Sequence, residues 1–182
     1  MSKPAFAYVF ERFPTFTQTF CVREVLRMER LGVNPLLFSI RDTRDEEGQK
    51  FPADLVSRVQ YLPPKKELSE RVKDLKRENR LPQDVVLTLR HWGDRKDKMR
   101  AYEAAWIGLK LKEAGVGHVH VHFAGIAARA AWWMRRFYGI TYSITGHAND
   151  IFRGDEFDVG LGRLAGQEDA TSGGPCALQA TV

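Results

Sequence analysis

The feature that most limits the fold of this chain is a strand, helix, strand pattern between residues 118 and 145. Residues 118–123 (HVHVHF) alternate in polarity, which is typical of a strand. Residues 124–138 are alanine-rich and apolar on nearly every side, and Gly139 marks the end of a helix. Residues 140–145 form another short apolar run. Two short strands joined by a helix predict two parallel strands of one sheet.

The amino-terminal part of the chain carries the same kind of pattern. Three more short apolar runs predict strands, at residues 5–10, 35–40 and 59–62. A helix is expected after the first of them, because Thr15 followed by Gln18 fits a capping box, in which both side chains bind free backbone N–H groups. This helix should run to about Leu31, since Gly32 is a normal C-terminal glycine.

These patterns predict an α/β fold, with a Rossmann-like parallel sheet and flanking helices. The 182 residues, of which 43% are hydrophobic, suffice for one domain with a real core. We expect residues 1–152 to form that domain. Residues 153–182 are rich in Gly, Ala, Asp and Thr and show no strand or helix period after about Leu164, so they are expected to be an irregular tail.

The composition favours a soluble, cytoplasmic protein. No stretch approaches the roughly 20 uninterrupted apolar residues that cross a bilayer. The two cysteines, Cys21 and Cys176, lie far apart and imply no disulfide framework. A net charge of +5 favours an anionic partner, which a phosphate-bearing molecule, a membrane surface or nucleic acid would satisfy. Nucleic acid is not expected, because the chain has neither an aromatic RNA-binding motif nor zinc-finger spacing.

The basic middle region, residues 66–113, leaves two interpretations open. It is mostly helical in pattern, and Trp92 and Trp106 are interleaved with lysines and arginines. Such a helix can lie against an anionic membrane, at the inner face of the cell membrane. The other interpretation is a solvated helix with a core-facing stripe, formed by Ala101, Ala105 and Leu109.

The strand at residues 118–123 has two different faces. Its three histidines point to one face and its apolar residues to the other; the histidines are His118, His120 and His122, and the apolar residues are Val119, Val121 and Phe123. A zinc site is conceivable, but neighbouring residues of one strand seldom converge on an ion without ligands from elsewhere. His118 and His120 are expected to be packed or hydrogen-bonded. His122 stands at the carboxyl end of the strand, where ligands bind in such sheets.

Two other segments follow strand ends and are candidate sites. The last predicted strand is followed by Gly146-His147-Ala148-Asn149-Asp150, a polar sequence that favours a site over a purely structural turn. The helix start near Thr15, Thr17 and Thr19 can hold a phosphate or a sugar hydroxyl on its free N–H groups, or the threonines can be only capping and loop residues.

Three segments together resemble the amino-terminal domain of family 4 glycosyltransferases, which are retaining enzymes with the two-domain GT-B fold. They are FPTFTQTFCVREVLRMERLG, HVHVHFAG before the alanine-rich helix, and GITYSITGHANDIF. The resemblance covers about residues 5–152. Enzymes of this family transfer a sugar from a nucleotide-sugar to an acceptor hydroxyl, often in the synthesis of cell-surface polysaccharide or glycolipid.

The resemblance implies roles for individual residues. His147 would bind hydroxyls of the donor sugar, Asp150 would orient the site, and these two are the candidate catalytic residues. His122 would line the acceptor side of the cleft. The remaining candidate substrate-binding residues are Thr17, Gln18, Thr19, Gly146 and Asn149. No covalent nucleophile, metal or cofactor is implied, because the donor phosphate and positioned dipoles stabilise the oxocarbenium-like transition state.

In this family a second, carboxyl-terminal domain holds the nucleotide, and residues 153–182 do not resemble its beginning. We therefore expect a truncated or frame-shifted copy that is inactive alone. The alternative is a non-catalytic binding module, or half of a split enzyme that acts with a separate carboxyl-terminal partner or at a membrane surface. An unrelated Rossmann-like nucleotide binder is less favoured, because the glycine-rich fingerprint is missing.

Overall fold

The structure, a computed structural model, describes residues 6–46, 51–91, 95–147 and 177–180. In these residues six parallel strands form one sheet in the order β3-β2-β1-β4-β5-β6. The strands are β1 (Ala7–Arg12), β2 (Leu36–Arg41), β3 (Val59–Tyr61), β4 (His118–His122), β5 (Thr141–Gly146) and β6 (Ala177–Ala180). The prediction of an α/β, Rossmann-like parallel sheet with flanking helices is confirmed.

Helices connect the strands and cover both faces of the sheet. They are a 3-10 helix (Phe16–Gln18), α1 (Thr19–Arg30), α2 (Ala53–Arg58), α3 (Lys65–Arg77), α4 (Gln83–His91), α5 (Arg95–Ala114) and α6 (Ile126–Tyr138). Helix α1 ends as predicted, with Gly32 at a φ of 79°. Helix α6 also ends at a left-handed glycine, Gly139. Both positions favour glycine because a side chain is strained at positive φ.

The two faces of the sheet build separate cores, because alternate residues of each strand point to opposite sides. In β1, Val9 packs into the larger core with helices α3 to α6, whereas Tyr8 and Phe10 pack into the smaller core with α1 and α2. In β4, Val119 and Val121 belong to the larger core. The three histidines of β4 therefore share one face, as predicted, and this face is the one that α1 covers.

The close packing of α5 against α6 depends on a small residue. Gly108 is buried, and a Cβ atom there would lie 2.3 Å from Cδ2 of Tyr138. The Tyr138 hydroxyl donates to the carbonyl of Ala105, one turn away, at 2.8 Å. Glycine at position 108 thus leaves room for the Tyr138 ring beside α5.

Several details differ from the sequence predictions. Helix α2, just before β3, lies where the sequence analysis predicted no helix. Phe123 lies beyond the end of β4 at a φ of 70°, so it does not point away from the histidines as strand alternation predicts. Strand β6 pairs with β5 within the segment that was expected to be irregular. Its sequence, ALQA, contains no β-branched or aromatic residue, so it lacks the usual strand signal.

Candidate functional site

The strand order creates a topological switch point between β1 and β4. Strands β1 and β4 are neighbours, but β1 leads through α1 to β2, whereas β4 leads through α6 to β5 on the other side. The chain therefore leaves these two strands in opposite directions, and ligands of open α/β sheets bind at such a switch point. The segments that follow β1, β4 and β5 meet this edge.

The segment after β1 is anchored through the backbone of Phe13. Its N–H donates to Ser39 Oγ at 2.9 Å, and its carbonyl accepts from Thr43 Oγ1 at 3.2 Å. Ser39 is fully buried and also donates to the Arg41 carbonyl at 2.6 Å. The loop that begins the candidate site is therefore held by side chains of β2 and of the loop after it.

The predicted capping box at Thr15 is wrong. Thr15 is the N-cap of the 3-10 helix, but its side chain makes no capping hydrogen bond, and its hydroxyl lies 3.4 Å from Thr17 Oγ1. The turn is closed by the Gln18 N–H, which donates to the Thr15 carbonyl at 3.1 Å. The two hydroxyls contact each other because the helix begins with a tight 3-10 turn. This turn leaves Thr17 and Thr19 exposed, with Gln18 half-buried.

His118 and His120 form hydrogen bonds with side chains of β5, which confirms the prediction that they are packed or hydrogen-bonded. His118 Nδ1 lies 2.8 Å from Thr141 Oγ1, and its Nε2 lies 3.0 Å from Ser143 Oγ. His120 Nδ1 lies 2.7 Å from Ser143 Oγ, and its Nε2 lies 3.1 Å from Thr145 Oγ1. Burial lowers the pKa of His118 and lowers that of His120 to about 4, so His120 is neutral at physiological pH. These contacts tie β4 to β5.

His122 and His147 come together at the edge of the sheet. His122 Nδ1 lies 3.2 Å from His147 Nε2. His122 is only 3% exposed, and its ring stacks on Phe10 with the centroids 5.7 Å apart. His147 is half-buried. A ligand at this edge therefore contacts His147 more readily than His122, which lies behind it.

A carboxylate that the sequence did not single out completes this group. Glu24 Oε1 of α1 lies 3.5 Å from His122 Nε2 and accepts a hydrogen bond from the Tyr8 hydroxyl at 2.5 Å. The nearby His122 imidazole, together with the Tyr8 hydroxyl, lowers the pKa of Glu24 to about 2 although burial opposes the shift. Glu24 follows the buried Cys21 by three positions, and this helical spacing is the signal that it faces the sheet.

Two phenylalanines form the apolar wall of the edge. The rings of Phe20 and Phe123 lie 4.7 and 4.4 Å from the ring of His147. Phe123 reaches this position because its backbone turns out of β4, with its N–H donating to the Thr145 carbonyl at 2.9 Å. Phe16 on the 3-10 helix is 71% exposed. Aromatic faces beside hydrogen-bonding groups suit a ligand with both apolar and polar sides.

The other predicted site residues are only partly described. Gly146 is the last residue of β5, immediately before His147. Asn149 and Asp150 lie outside the described residues, so their roles stay predictions. Thr17, Gln18 and Thr19 follow β1 and thus lie toward the same edge as His122 and His147.

A separate cleft of about 330 Å³ lies beyond β2 and β3, on the side of the larger core. Trp106 contributes to its lining, and the Trp106 ring lies 4.9 Å from Lys110 Nζ and 5.5 Å from the guanidinium carbon of Arg71. Ala101 and Ala105 are fully buried, which confirms that they face the core. Leu109 is only half-buried, and Trp92 lies outside the described residues.

No protein-family model, curated protein or solved structure matches this chain. The resemblance to family 4 glycosyltransferases therefore stays a prediction. Among the helices that the structure describes, none combines the length and the apolar character needed to cross a membrane.

Proposed function

We propose that this chain is the acceptor-side domain of a retaining glycosyltransferase, which transfers a sugar from a nucleotide-sugar to an acceptor hydroxyl. The single observation that carries the proposal is the pairing of His122 with His147 at the switch point of the sheet, with Nδ1 and Nε2 3.2 Å apart. Imidazole nitrogens can donate to or accept from the hydroxyls of a sugar. The three sequence segments of the family resemblance supply the residues of this edge.

The surroundings of His147 support a sugar as the ligand. The rings of Phe20 and Phe123 flank it, and the exposed threonine hydroxyls of the 3-10 segment lie toward the same edge. Sugar rings carry hydroxyls at their rim and C–H groups on their faces, so a site with polar groups beside aromatic rings complements both. His122, held between Glu24 and His147, would position His147 without touching the substrate.

Sugar transfer requires a second wall for the cleft. Only interactions that are stronger in the transition state than in the ground state accelerate the reaction. Much of the charge that develops in this transition state lies on the leaving diphosphate. In our proposal, a further domain or a separate partner provides the diphosphate contacts. The 182-residue chain by itself is therefore expected to transfer no sugar.

The experiment uses the purified 182-residue chain with radiolabelled UDP-glucose, UDP-N-acetylglucosamine and GDP-mannose and a panel of oligosaccharide acceptors. We expect no transfer and little affinity for the nucleotide-sugars, but weak binding of at least one oligosaccharide, which His147→Ala abolishes. The matched control is His118→Ala, because His118 lies on the same strand face as His122 but away from the edge. Robust turnover by this chain alone, or oligosaccharide binding that His147→Ala leaves unchanged, would contradict the proposal.

A further inference from the structure

The inner side of His122 brings three metal-ligating groups together. Glu24 on α1 and His120 and His122 on β4 each offer one ligand atom, and these atoms lie within 4.8 Å of one another. Carboxylate oxygens and imidazole nitrogens are ordinary ligands of Zn²⁺. We propose that Glu24, His120 and His122 form a binding site for a divalent transition-metal ion, and that Zn²⁺ fits this ligand set best.

The state of His122 Nε2 is an independent reason to place a ligand here. His122 is 3% exposed, and within the described part of the chain its Nε2 has no hydrogen-bond partner. A buried polar atom without a partner is costly, and binding of an ion or a water molecule would satisfy it. The nearest acceptor is Glu24 Oε1 at 3.5 Å. Two ligands of a tetrahedral zinc ion, each bound at about 2.0–2.1 Å, lie about 3.3 Å apart, which is close to that separation.

Each of the three residues also contacts a further side chain that would hold it in place as a ligand. Metal-ligating side chains are usually oriented by such hydrogen bonds. Tyr8 donates to the Glu24 carboxylate. His122 Nδ1 faces His147 Nε2. Each ring nitrogen of His120 lies beside one hydroxyl of β5, so whichever nitrogen binds the ion, the other keeps a partner.

A zinc site on this strand needs a ligand from another element, and Glu24 on α1 provides it. Histidines of one strand do not converge unaided, and His118 is not part of the set. Glu24 approaches from the helix that covers this face. The three protein ligands leave a fourth tetrahedral position for water.

Metal binding would change the hydrogen bonding at the edge of the sheet. When Nε2 of His122 binds the ion, the ring proton must be on Nδ1, which then donates to His147 Nε2. Without the ion, a proton on His122 Nε2 faces the Glu24 carboxylate, and Nδ1 accepts from His147. The ion would thus reverse the donor and acceptor roles of the His122–His147 pair.

The test is a titration of the EDTA-treated chain with Co²⁺, followed by visible absorbance, and with Zn²⁺, followed by calorimetry. We expect about one equivalent to bind, with the intense absorption of tetrahedral Co²⁺. Glu24→Gln and His120→Asn should each weaken binding at least about tenfold, a loss that removal of a supporting residue alone can reach. His118→Asn is the control on the same strand face and should bind like the wild type.

Folding of each variant is checked by circular dichroism without metal. A second measurement, nitrogen NMR of the histidine rings, should show the His122 proton moving to Nδ1 when Zn²⁺ binds to the wild type. The proposal is overturned if the wild type binds no ion, if Glu24→Gln and His120→Asn bind as tightly as the wild type, or if His118→Asn weakens binding as much as they do.

Discussion

His122 Nδ1 lies 3.2 Å from His147 Nε2, although the two residues are 25 positions apart. The parallel pairing of β4 with β5 produces this contact, because His122 is paired with Thr145 at the ends of both strands. His147 is the residue immediately after β5. Glu24 lies on the other side of His122, so a carboxylate and two imidazoles form a row from α1 to the edge of the sheet.

The first prediction concerns the proton positions in this row. In the metal-free wild type, we expect the proton of His122 on Nε2, because the Glu24 carboxylate accepts only. Glu24→Gln replaces an acceptor oxygen with an amide that can also donate, so the proton should shift toward Nδ1. Long-range nitrogen–proton NMR spectra of the histidine rings, recorded with EDTA, measure this. Identical His122 spectra in both proteins would show that Glu24 does not determine the proton position on His122.

A second prediction concerns the anchor of the loop after β1. Ser39→Ala leaves the Phe13 N–H and the Arg41 carbonyl without their buried partner, which should lower the free energy of unfolding by about 1–3 kcal/mol. The amide of Phe13 should also exchange faster with solvent. Ser57→Ala is the control, because Ser57 is exposed and donates only to the Asp54 carbonyl, and its effect should stay within about 0.5 kcal/mol. Urea denaturation and hydrogen exchange provide the two measurements.

The third prediction is a pH dependence of stability from Glu103. Burial raises its pKa from 4.5 to about 7, although the Arg100 guanidinium lies 2.5 Å away and opposes the shift. Because the folded state then binds the proton more tightly than the unfolded state, this group makes the protein less stable as pH rises from 4.5 to about 7.

Glu103→Gln keeps an acceptor for Arg100 but removes the titration. Between pH 4.5 and 8 the wild type should therefore lose up to about 3 kcal/mol of unfolding free energy relative to this variant. Urea denaturation at a series of pH values measures it. A difference that does not change with pH would show that Glu103 has the same pKa in both states.

The fourth prediction tests the packing of α5 on α6. Gly108→Ala places a Cβ 2.3 Å from the Tyr138 ring, and displacing the ring should cost about 1–3 kcal/mol despite the better helix propensity of alanine. In a Tyr138→Ala background the obstacle is gone, so the same change should stabilise the protein slightly. Thermal unfolding of the four proteins of this cycle measures the coupling. A destabilisation of equal size in both backgrounds would rule out the clash.

The sequence predicted five of the six described strands and most of the helices between them, because these depend on local periodicity. Alternation within β4 placed its three histidines on one face, the position of His122 at the carboxyl end of the strand set it apart from His118 and His120, and glycines marked the ends of α1 and α6. The ends of these five strands were predicted within two residues of those in the structure.

Other features depend on contacts between distant segments and could not be predicted in this way. Glu24 belongs to the site only because α1 packs with that side toward β4. Phe123 joins the histidine side because the chain turns at the end of the strand, where alternation no longer holds. The proposed metal-ligand set could not be predicted for the same reason, since Glu24 comes from another element than the two histidines.

The most direct test of the central claim is a titration of the histidine-labelled chain with oligosaccharides, followed by NMR of the ring signals. If the carboxyl edge binds sugar, the signals of His147 should shift most, those of His122 should follow through the hydrogen bond, and those of His118 should stay unchanged. Shifts confined to His118, or no shift of His147 with any saccharide of the panel, would contradict a sugar-binding edge.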